Sequence, residues 1–185
     1  MKRIILASKS PRRKELLAVC GYDFECMPSD VDETINEDND FVEEIKKLSR
    51  RKAEAIFNDN KDAIVIGGDT IVVLNNKILG KPRDRKESKE MIKALSGNTH
   101  QVITGLCIMS EEDIYEDYTV SNVTFMEMSE EEIDEYVESG EGDDKAGAYA
   151  IQGIGAKFIK NIDGDYYSIM GFPLNKVYTY LRKLI

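Results

Sequence analysis

The segment Ala63–Leu74 constrains the possible folds of this chain more than any other. Its β-branched residues predict a buried strand, yet one carboxylate, Asp69, lies in the middle of it. Because burying an unpaired carboxylate is costly, the strand predicts a cation or a metal ion beside Asp69. Gly67 and Gly68 come directly before it, where missing side chains permit a close approach or a bulge. The alternative is that Gly-Gly-Asp forms a turn between two shorter strands.

Strand and helix signals alternate along the remainder of the chain. The predicted strands are Arg3–Ala7, Asp23–Met27, Ala63–Leu74, His100–Met109, Asp113–Glu127 and Tyr166–Ile169, with an extended segment over Gly147–Gln152. The predicted helices are Pro11–Val19, Phe41–Phe57, Asp84–Leu95, a helix from the Ser129 N-cap to Glu138, Gly155–Ile162 and Leu174–Ile185. This alternation predicts an α/β fold with a long, twisted mixed sheet. No repeat or linker interrupts it, so the length favours a single domain over residues 1–185.

The beginning of the chain is basic, although the whole chain has a formal net charge of -10. Six of the first fourteen residues are Lys or Arg, and none is acidic. Ser10 and Pro11 predict a helix N-cap and the first helical residue, which places Arg12, Arg13 and Lys14 in the first turn. Free backbone N–H groups and guanidinium groups then converge, so the segment predicts a phosphate or polyphosphate site. The alternative is a solvated basic helix start without a ligand.

Three charged residues elsewhere are candidates to complete such a site. Glu33 lies in an acidic loop, and a carboxylate from this loop is a candidate to hold magnesium together with Asp69. Lys52 lies late in the long helix, and Lys81 lies between a glycine and a proline that fix its backbone. Acidic loops and lysines are common on solvated surfaces, so each of these residues is alternatively an ordinary exposed side chain.

Gln152 lies in a segment rich in small residues, which permit a close backbone approach. Its amide carries both donors and an acceptor, as needed to recognise the edge of a nucleobase. The alternative is a packed loop with an amide that faces solvent.

Composition excludes several classes of function. The acidic balance argues against general binding to nucleic acid or to an anionic membrane, and no apolar run is long enough to span a bilayer. Three cysteines without metal spacing and a single histidine, His100, argue against a disulfide framework and a histidine-rich zinc site. A metal in this chain would therefore be a hard divalent ion held by carboxylates, magnesium or manganese. We expect a cytoplasmic protein.

Several motifs together resemble the Maf family of nucleoside triphosphate pyrophosphatases, also described as septum formation inhibitors. The motifs, in family order, are Ala7–Arg13, Gly68–Thr70, Gly80–Pro82, Ser96-Gly97 with His100 and Thr104-Gly105, Asp144–Tyr149, Ile151–Gly153 and Gly171–Leu174. The resemblance covers essentially the whole chain. It implies an α/β fold with an extended twisted mixed sheet flanked by helices and two lobes with a central cleft, related to the inosine triphosphate pyrophosphatases.

The resemblance also implies an activity, the metal-dependent hydrolysis of a nucleoside triphosphate to the monophosphate and pyrophosphate. Asp69 would be the proton acceptor, and the catalytic cluster would be completed by Glu33, Lys52 and Lys81. The residues expected to contact substrate are Ser8, Arg12, Arg13, Thr70 and Gln152. Magnesium or manganese would be held by Glu33 and Asp69. Whether Asp69 acts as the base, as a metal ligand or as both stays open.

Two features of the motifs resemble the branch of the family that prefers dTTP and UTP. These are the forms Asp-Lys-Ala-Gly-Ala-Tyr and Ile-Gln-Gly, which include Gln152. The alternatives are a preference for 7-methyl-GTP or another modified nucleotide, and a regulator of cell division that binds a partner through the acidic segment Glu127–Asp144. That segment is alternatively a solvated surface. The resemblance suggests a homodimer, on which the residues themselves give no indication.

Overall fold

The computed structural model describes residues 2–185 as a mixed α/β fold. The helices are α1 (Pro11–Ala18), α2 (Phe41–Phe57), α3 (Arg85–Leu95), α4 (Glu130–Glu138), α5 (Tyr166–Ile169) and α6 (Leu174–Leu184), with 3-10 helices at Ala146–Ala148 and Ile154–Phe158. The strands are β1 (Ile4–Leu6), β2 (Glu25–Cys26), β3 (Ile64–Leu74), β4 (Lys77–Leu79), β5 (Thr99–Met109), β6 (Ile114–Phe125) and β7 (Ile159–Asp163).

All seven strands belong to one sheet, in the order β2-β1-β3-β5-β6-β7, with β4 paired to β3. Strand β1 is parallel to β2 and to β3, whereas β4 is antiparallel to β3 and β7 is antiparallel to β6. The sheet is therefore mixed, as the alternation of strand and helix signals predicts. None of the helices within residues 2–185 is long and apolar enough to cross a membrane.

The chain forms two compact units. The first contains the chain up to Thr70 together with Thr104–Thr119 and Gly171–Ile185, and the second contains Ile71–Ile103 and Val120–Met170. A core cluster of the first unit is formed by Ile5, Ala7, Ala53, Ala63, Val65, Cys107 and Met109. A core cluster of the second unit includes Val72, Leu74, Ile92, Leu95, Val102, Val123, Phe125, Ile133, Tyr149 and Phe158.

Three of the predicted elements in the last forty residues are wrong. Tyr166–Ile169 is helix α5 rather than a strand, because the Asp165 side chain accepts a hydrogen bond from Tyr167 N (3.0 Å) and caps a helical turn. Gly147–Gln152 is not extended, since Gly147 and Ala148 both have a left-handed backbone (φ 70° and 59°). The predicted helix Gly155–Ile162 is a short 3-10 helix that passes into strand β7.

Two glycines permit a close packing of helix α2 in the first unit. A Cβ added at Gly67 of β3 would overlap with Ser49 O and lie 2.7 Å from Ala53 N. A Cβ added at Gly105 of β5 would lie 2.6 Å from Ile45 O. Both glycines are therefore needed where backbone meets backbone, as the sequence predicts for Gly67. The consequence is that α2 lies directly on the strand that carries Asp69.

Candidate active site

Asp69 lies inside a continuous strand and not in a turn. Strand β3 runs without interruption from Ile64 to Leu74, so the turn interpretation of Gly-Gly-Asp is wrong. The Asp69 side chain is one-fifth exposed, and its Oδ1 accepts a hydrogen bond from Thr70 N at 2.8 Å. This carboxylate therefore sits at the boundary between the core and solvent, where it requires positive partners.

Lys52 is one of the cations that balance Asp69. It lies on the face of α2 that also carries the buried residues Ile45 and Leu48, and it is itself buried. Its Nζ lies 2.9 Å from Asp69 Oδ2 and 2.7 Å from Glu33 Oε1. Lys52 therefore bridges the two carboxylates, and the structure brings three of the predicted catalytic residues together. Buried lysines are rare in proteins unless they are paired in this way.

Arg13 is the second cation beside Asp69, and it is also buried. Its Nε donates to Gly171 O at 2.7 Å, and its Nη1 donates to Ser8 Oγ at 3.3 Å. Its Nη2 lies 3.5 Å from Asp69 Oδ1 and 3.3 Å from Thr70 Oγ1. One guanidinium group thus joins the basic start of the chain to β3. These contacts fix its orientation, because the N–H groups of arginine form a rigid fork.

Burial and charge act in opposite directions on the Asp69 carboxyl group. Burial by itself raises its pKa, but the attraction of Arg13 and Lys52 and the hydrogen bonds from Lys52 and Thr70 N outweigh burial, so the net pKa lies below the usual range. For Arg13, burial lowers the pKa from its very high ordinary value, and Asp69 opposes this effect. Asp69 is therefore a carboxylate at neutral pH, facing two cations.

The side chains of Thr70 and Asp69 meet at the same cluster, although the two residues are neighbours in a strand. A regular strand alternates its side chains, which predicts opposite faces for the two residues. Instead the Thr70 hydroxyl lies near the same Arg13 nitrogen as Asp69, and it also lies 2.9 Å from Thr104 Oγ1. Thr104 belongs to strand β5 and is fully buried. Thr70 is therefore part of the polar cluster around Arg13.

The basic start of the chain has the predicted geometry. Ser10 is the N-cap of α1, its Oγ accepts from Arg13 N (3.4 Å), and Pro11 is the first helical residue. Ser8 is buried, and its Oγ also accepts from Ser10 N at 3.1 Å. Arg12 is half-buried, and within residues 2–185 no carboxylate lies within ion-pairing distance of it. The first turn of α1 thus presents a guanidinium group that no carboxylate of the described residues neutralises.

The other two predicted site residues, Lys81 and Gln152, belong to the second unit, and both are exposed. Lys81 follows β4, and the preceding residue, Gly80, accepts a hydrogen bond from Gly147 N at 3.0 Å. Gln152 lies in the turn between the two 3-10 helices. The segment before Lys81 and the turn before Gln152 are therefore tied to each other by the backbone.

His100 is a core residue of the second unit. It is buried, its Nε2 lies 2.8 Å from Tyr149 Oη, and its ring packs edge-on against Phe125 and Tyr149. Its Nδ1 has no hydrogen-bond partner within the part of the chain that the structure describes. Burial lowers the pKa of His100 to about 4, so the ring is neutral at physiological pH.

Glu33 and Asp69 have the chemistry of magnesium or manganese ligands. Such ions take oxygen donors, and in nucleotide sites they use one or two carboxylates while phosphate and water fill the other positions. Both carboxylates converge on Lys52, so their oxygens already point to one place. No cluster of three or more acidic, histidine or cysteine side chains suited to a metal occurs in residues 2–185. The pair therefore fits a metal that binds with a polyphosphate rather than one caged by protein alone.

Sequence patterns did not assign a role to two residues of this cluster. Gly171 contributes only its carbonyl oxygen to Arg13, and Thr104 contributes a hydroxyl group from β5. The motifs Gly171–Leu174 and Thr104-Gly105 were the available signals. A signal for the burial of Lys52 was also present, because it lies at helical spacing from Ile45, Leu48 and Ile56.

The chain resembles known proteins over its whole length. A family model described as "Maf-like protein" matches residues 3–184. A protein of Bacillus cereus (strain G9842) named dTTP/UTP pyrophosphatase is 49% identical over 183 residues, which cover 99% of this chain and 96% of that protein. A protein of the same name from Aquifex aeolicus (strain VF5) is 45% identical over 182 residues, which cover 98% and 95%.

Among solved structures, the chain is similar to the Staphylococcus aureus Ham1 protein, with a TM-score of 0.55. The sequence identity is 16%, and the match covers 100% of both chains. At this level of identity the likeness shows the fold alone.

Proposed function

Because the chain belongs to the family of Maf-like proteins, we propose that it hydrolyses dTTP and UTP to the nucleoside monophosphate and pyrophosphate. Water is consumed, and the bond between the α- and β-phosphoryl groups breaks. Modified pyrimidine triphosphates are included in the proposed substrates. The relatives that carry the name dTTP/UTP pyrophosphatase support this proposal because they are nearly half identical over almost the full chain.

The observation that carries the proposal is the bridge from Lys52 to Asp69 and Glu33 in the first unit, with Arg13 on the other side of Asp69. Removing charged groups such as these from water costs desolvation free energy, which lowers the stability of the fold. Such clusters of mutually perturbed charged groups are typical of catalytic sites. A polyphosphate with a divalent metal has the charge and the oxygen ligands to engage both kinds of group.

Arg12 and the first turn of α1 are the proposed binding site for phosphate groups. Among residues 2–185 no carboxylate forms an ion pair with Arg12, and the first turn of α1 contains no acidic residue. The N-terminal N–H groups of α1 add to the attraction for an anion. Ser8 and Arg13 belong to the same segment, and Arg13, which contacts Ser8, Asp69 and Thr70, would add its positive charge to the attraction for phosphate.

Glu33 and Asp69 are the proposed ligands of magnesium or manganese. When bound, the metal would neutralise phosphate charge and lower the pKa of a coordinated water molecule. Asp69 would accept the proton of the attacking water, and Lys52 would hold the carboxylate in place and keep it ionised. Because the pKa of Asp69 is low, this carboxylate is available as an acceptor throughout the neutral range. The catalytic role that the resemblance implies for Lys81 stays a prediction.

Gln152 is the proposed residue for the choice of base. Its amide is exposed in a turn with a fixed backbone, so it is free to pair with the edge of a pyrimidine. A preference for 7-methyl-GTP is the alternative for the same enzyme, and the test below includes it.

The test is the release of pyrophosphate from dTTP, UTP, CTP, ATP, GTP and 7-methyl-GTP with magnesium present. We expect turnover of dTTP and UTP by the wild-type protein and a loss of about 10²–10⁴-fold in Asp69→Asn. Asp59→Asn is the matched control, because Asp59 is an exposed aspartate of the same unit. Absence of turnover for every pyrimidine triphosphate would contradict the proposal.

The alternative of a cell-division regulator predicts a different outcome. If Asp69→Asn is inactive but still blocks septation when expressed, partner binding rather than hydrolysis causes that phenotype. We propose a cytoplasmic enzyme that acts on nucleotides and does not bind nucleic acid, in keeping with the net charge of -10. The homodimer suggested by the resemblance stays a prediction, which sedimentation of the purified protein would test.

A further inference from the structure

The turn that carries Gln152 is held by one side chain from outside it. Glu141 lies in the loop after α4, and its Oε1 accepts from Ile154 N at 2.6 Å. Its Oε2 accepts from Gly155 N at 2.9 Å. These two N–H groups begin the 3-10 helix Ile154–Phe158, where the N-cap residue provides no side-chain acceptor. The Glu141 carboxylate therefore satisfies donors that this turn leaves open.

The same carboxylate reaches the other side of the turn through Tyr136. The Tyr136 hydroxyl donates to Glu141 Oε2 at 3.0 Å and accepts from Ala150 N at 3.1 Å. Tyr136 is buried, which raises the pKa of its hydroxyl and keeps it a donor at neutral pH. The backbone is thus held two residues before Gln152 and two and three residues after it.

The geometry leaves no space for a side chain between the turn and the carboxylate. A Cβ added at Gly153 would overlap with Glu141 Oε1, so a side chain at this position would displace the carboxylate from the amides that it contacts. The base of the Glu141 loop is also fixed, because Lys145 Nζ donates to Glu141 O at 2.6 Å and Ser139 Oγ accepts from Glu141 N at 3.3 Å. The backbone of Glu141 is therefore fixed, and its carboxylate holds the turn in place.

We infer that Glu141 is a positioning residue for base selection, which holds the Gln152 turn in one conformation through direct amide contacts and through Tyr136. The inference rests on the proposed function of Gln152. None of the contacts that hold the turn involves the Gln152 side chain itself, so its amide remains exposed while its backbone is restrained. A restrained amide discriminates between bases better than a mobile one, because it is unable to reorient to suit a base with a different hydrogen-bonding edge.

The variant Glu141→Gln tests this inference with little change in shape. Glutamine keeps one acceptor oxygen but replaces the other with an NH2 group, which is unable to accept from a backbone N–H. Glu135→Gln is the matched control, since Glu135 is an exposed glutamate of α4. The measurements are kcat and KM for dTTP and 7-methyl-GTP in both variants, in Gln152→Ala and in the double variant.

We expect Glu141→Gln to reduce the ratio of kcat/KM for dTTP over 7-methyl-GTP by about tenfold, mainly through KM for dTTP. In the Gln152→Ala background the same change should leave the ratio unaltered, because the residue that it positions is absent. An equal loss for both nucleotides, or the same change of ratio in both backgrounds, would overturn the inference.

Hydrogen exchange separates this inference from the proposed function. The amides of Ile154 and Gly155 should exchange at least tenfold faster in Glu141→Gln than in the wild type or in Glu135→Gln. Unchanged exchange would overturn the positioning role even if the enzyme is active as proposed. An inactive wild type would contradict the proposed function. The exchange rates of the Ile154 and Gly155 amides would then still show whether Glu141 holds the turn. If Glu141→Gln does not fold, Tyr136→Phe replaces it, because that change removes only the hydroxyl bridge to Ala150 N.

Discussion

The two units of this protein hold their candidate site residues by different physical means. In the first unit, Asp69 is fixed by two buried cations, Lys52 and Arg13, and every strong contact involves a charge. In the second unit, the backbone on both sides of Gln152 is fixed by hydrogen bonds. Its N–H groups donate to the Tyr136 hydroxyl and to the Glu141 carboxylate. The contacts of Asp69 are therefore mainly between charged groups, whereas those of the Gln152 turn are between neutral groups and a single carboxylate.

The proposed function gives this difference a physical reason. A polyphosphate is recognised by charge, so the groups that meet it must be ionised and must be kept ionised by one another. A nucleobase is neutral and is recognised by hydrogen-bond geometry, so the need there is a backbone with a single conformation. The comparison therefore predicts that changes in the first unit affect turnover, whereas changes in the second affect stability and selectivity.

The largest effect is expected for Lys52→Met. The substitution keeps the length of the side chain but removes the charge that bridges Asp69 and Glu33, so kcat/KM should fall by about 10²–10³-fold. Lys47→Met is the control on the same helix, because Lys47 is largely exposed. Pyrophosphate release from dTTP is the measurement, and a similar activity of the two variants would contradict the charge-based description of the first unit.

The next effect concerns the pH dependence of stability through His100. Its pKa is about 4 in the folded protein and near 6.5 when unfolded, so the unfolded state binds more protons between these values. The unfolding free energy should therefore be fully developed above about pH 6.5 and fall as the pH is lowered toward 4, by up to about 3 kcal/mol.

Urea unfolding at several pH values measures this dependence. His100→Gln should show a flatter profile in this pH range, since the amide does not titrate. His100 is the only histidine of the chain, so no other imidazole contributes. Parallel profiles for the two proteins would show that the second unit does not depend on a neutral His100.

A smaller effect is expected for Gly67→Ala in the first unit. The added Cβ would press on the backbone of α2 and destabilise the fold by about 1–3 kcal/mol. Gly80→Ala is the control for stability, because nothing lies within 4 Å of a Cβ at that position. Thermal unfolding measures both. Equal stability of the variants would contradict the close approach of α2 to β3.

The smallest effects concern two N-caps, one in each unit. Ser10→Ala and Ser129→Ala should each cost about 1 kcal/mol of stability. Only Ser10→Ala should also reduce turnover, because it loosens the first turn of α1 that carries Arg12 and Arg13. An equally large loss of turnover in Ser129→Ala would contradict the prediction that only changes in the first unit affect turnover.

Local patterns determined much of this protein. The cap of α1, the capping box at Ser129, helix α2 and the long strand β3 follow from residues close in sequence, because hydrogen bonds within one turn and apolar periodicity are local properties. The mixed sheet follows from the alternation of these elements. The carboxylate of Asp69 in an apolar strand also indicated a cationic partner without showing which one.

Only the tertiary structure decided which residues meet. Lys52 and Arg13 are far from Asp69 in sequence, and the contact of Lys52 depends on the close packing of α2 on Gly67, while that of Arg13 depends on how α1 is placed relative to β3. The segment from Gly147 to Phe158 escaped local prediction for a similar reason. Left-handed residues at Gly147 and Ala148, and amides satisfied by Glu141, make its conformation a property of distant contacts rather than of its own propensity.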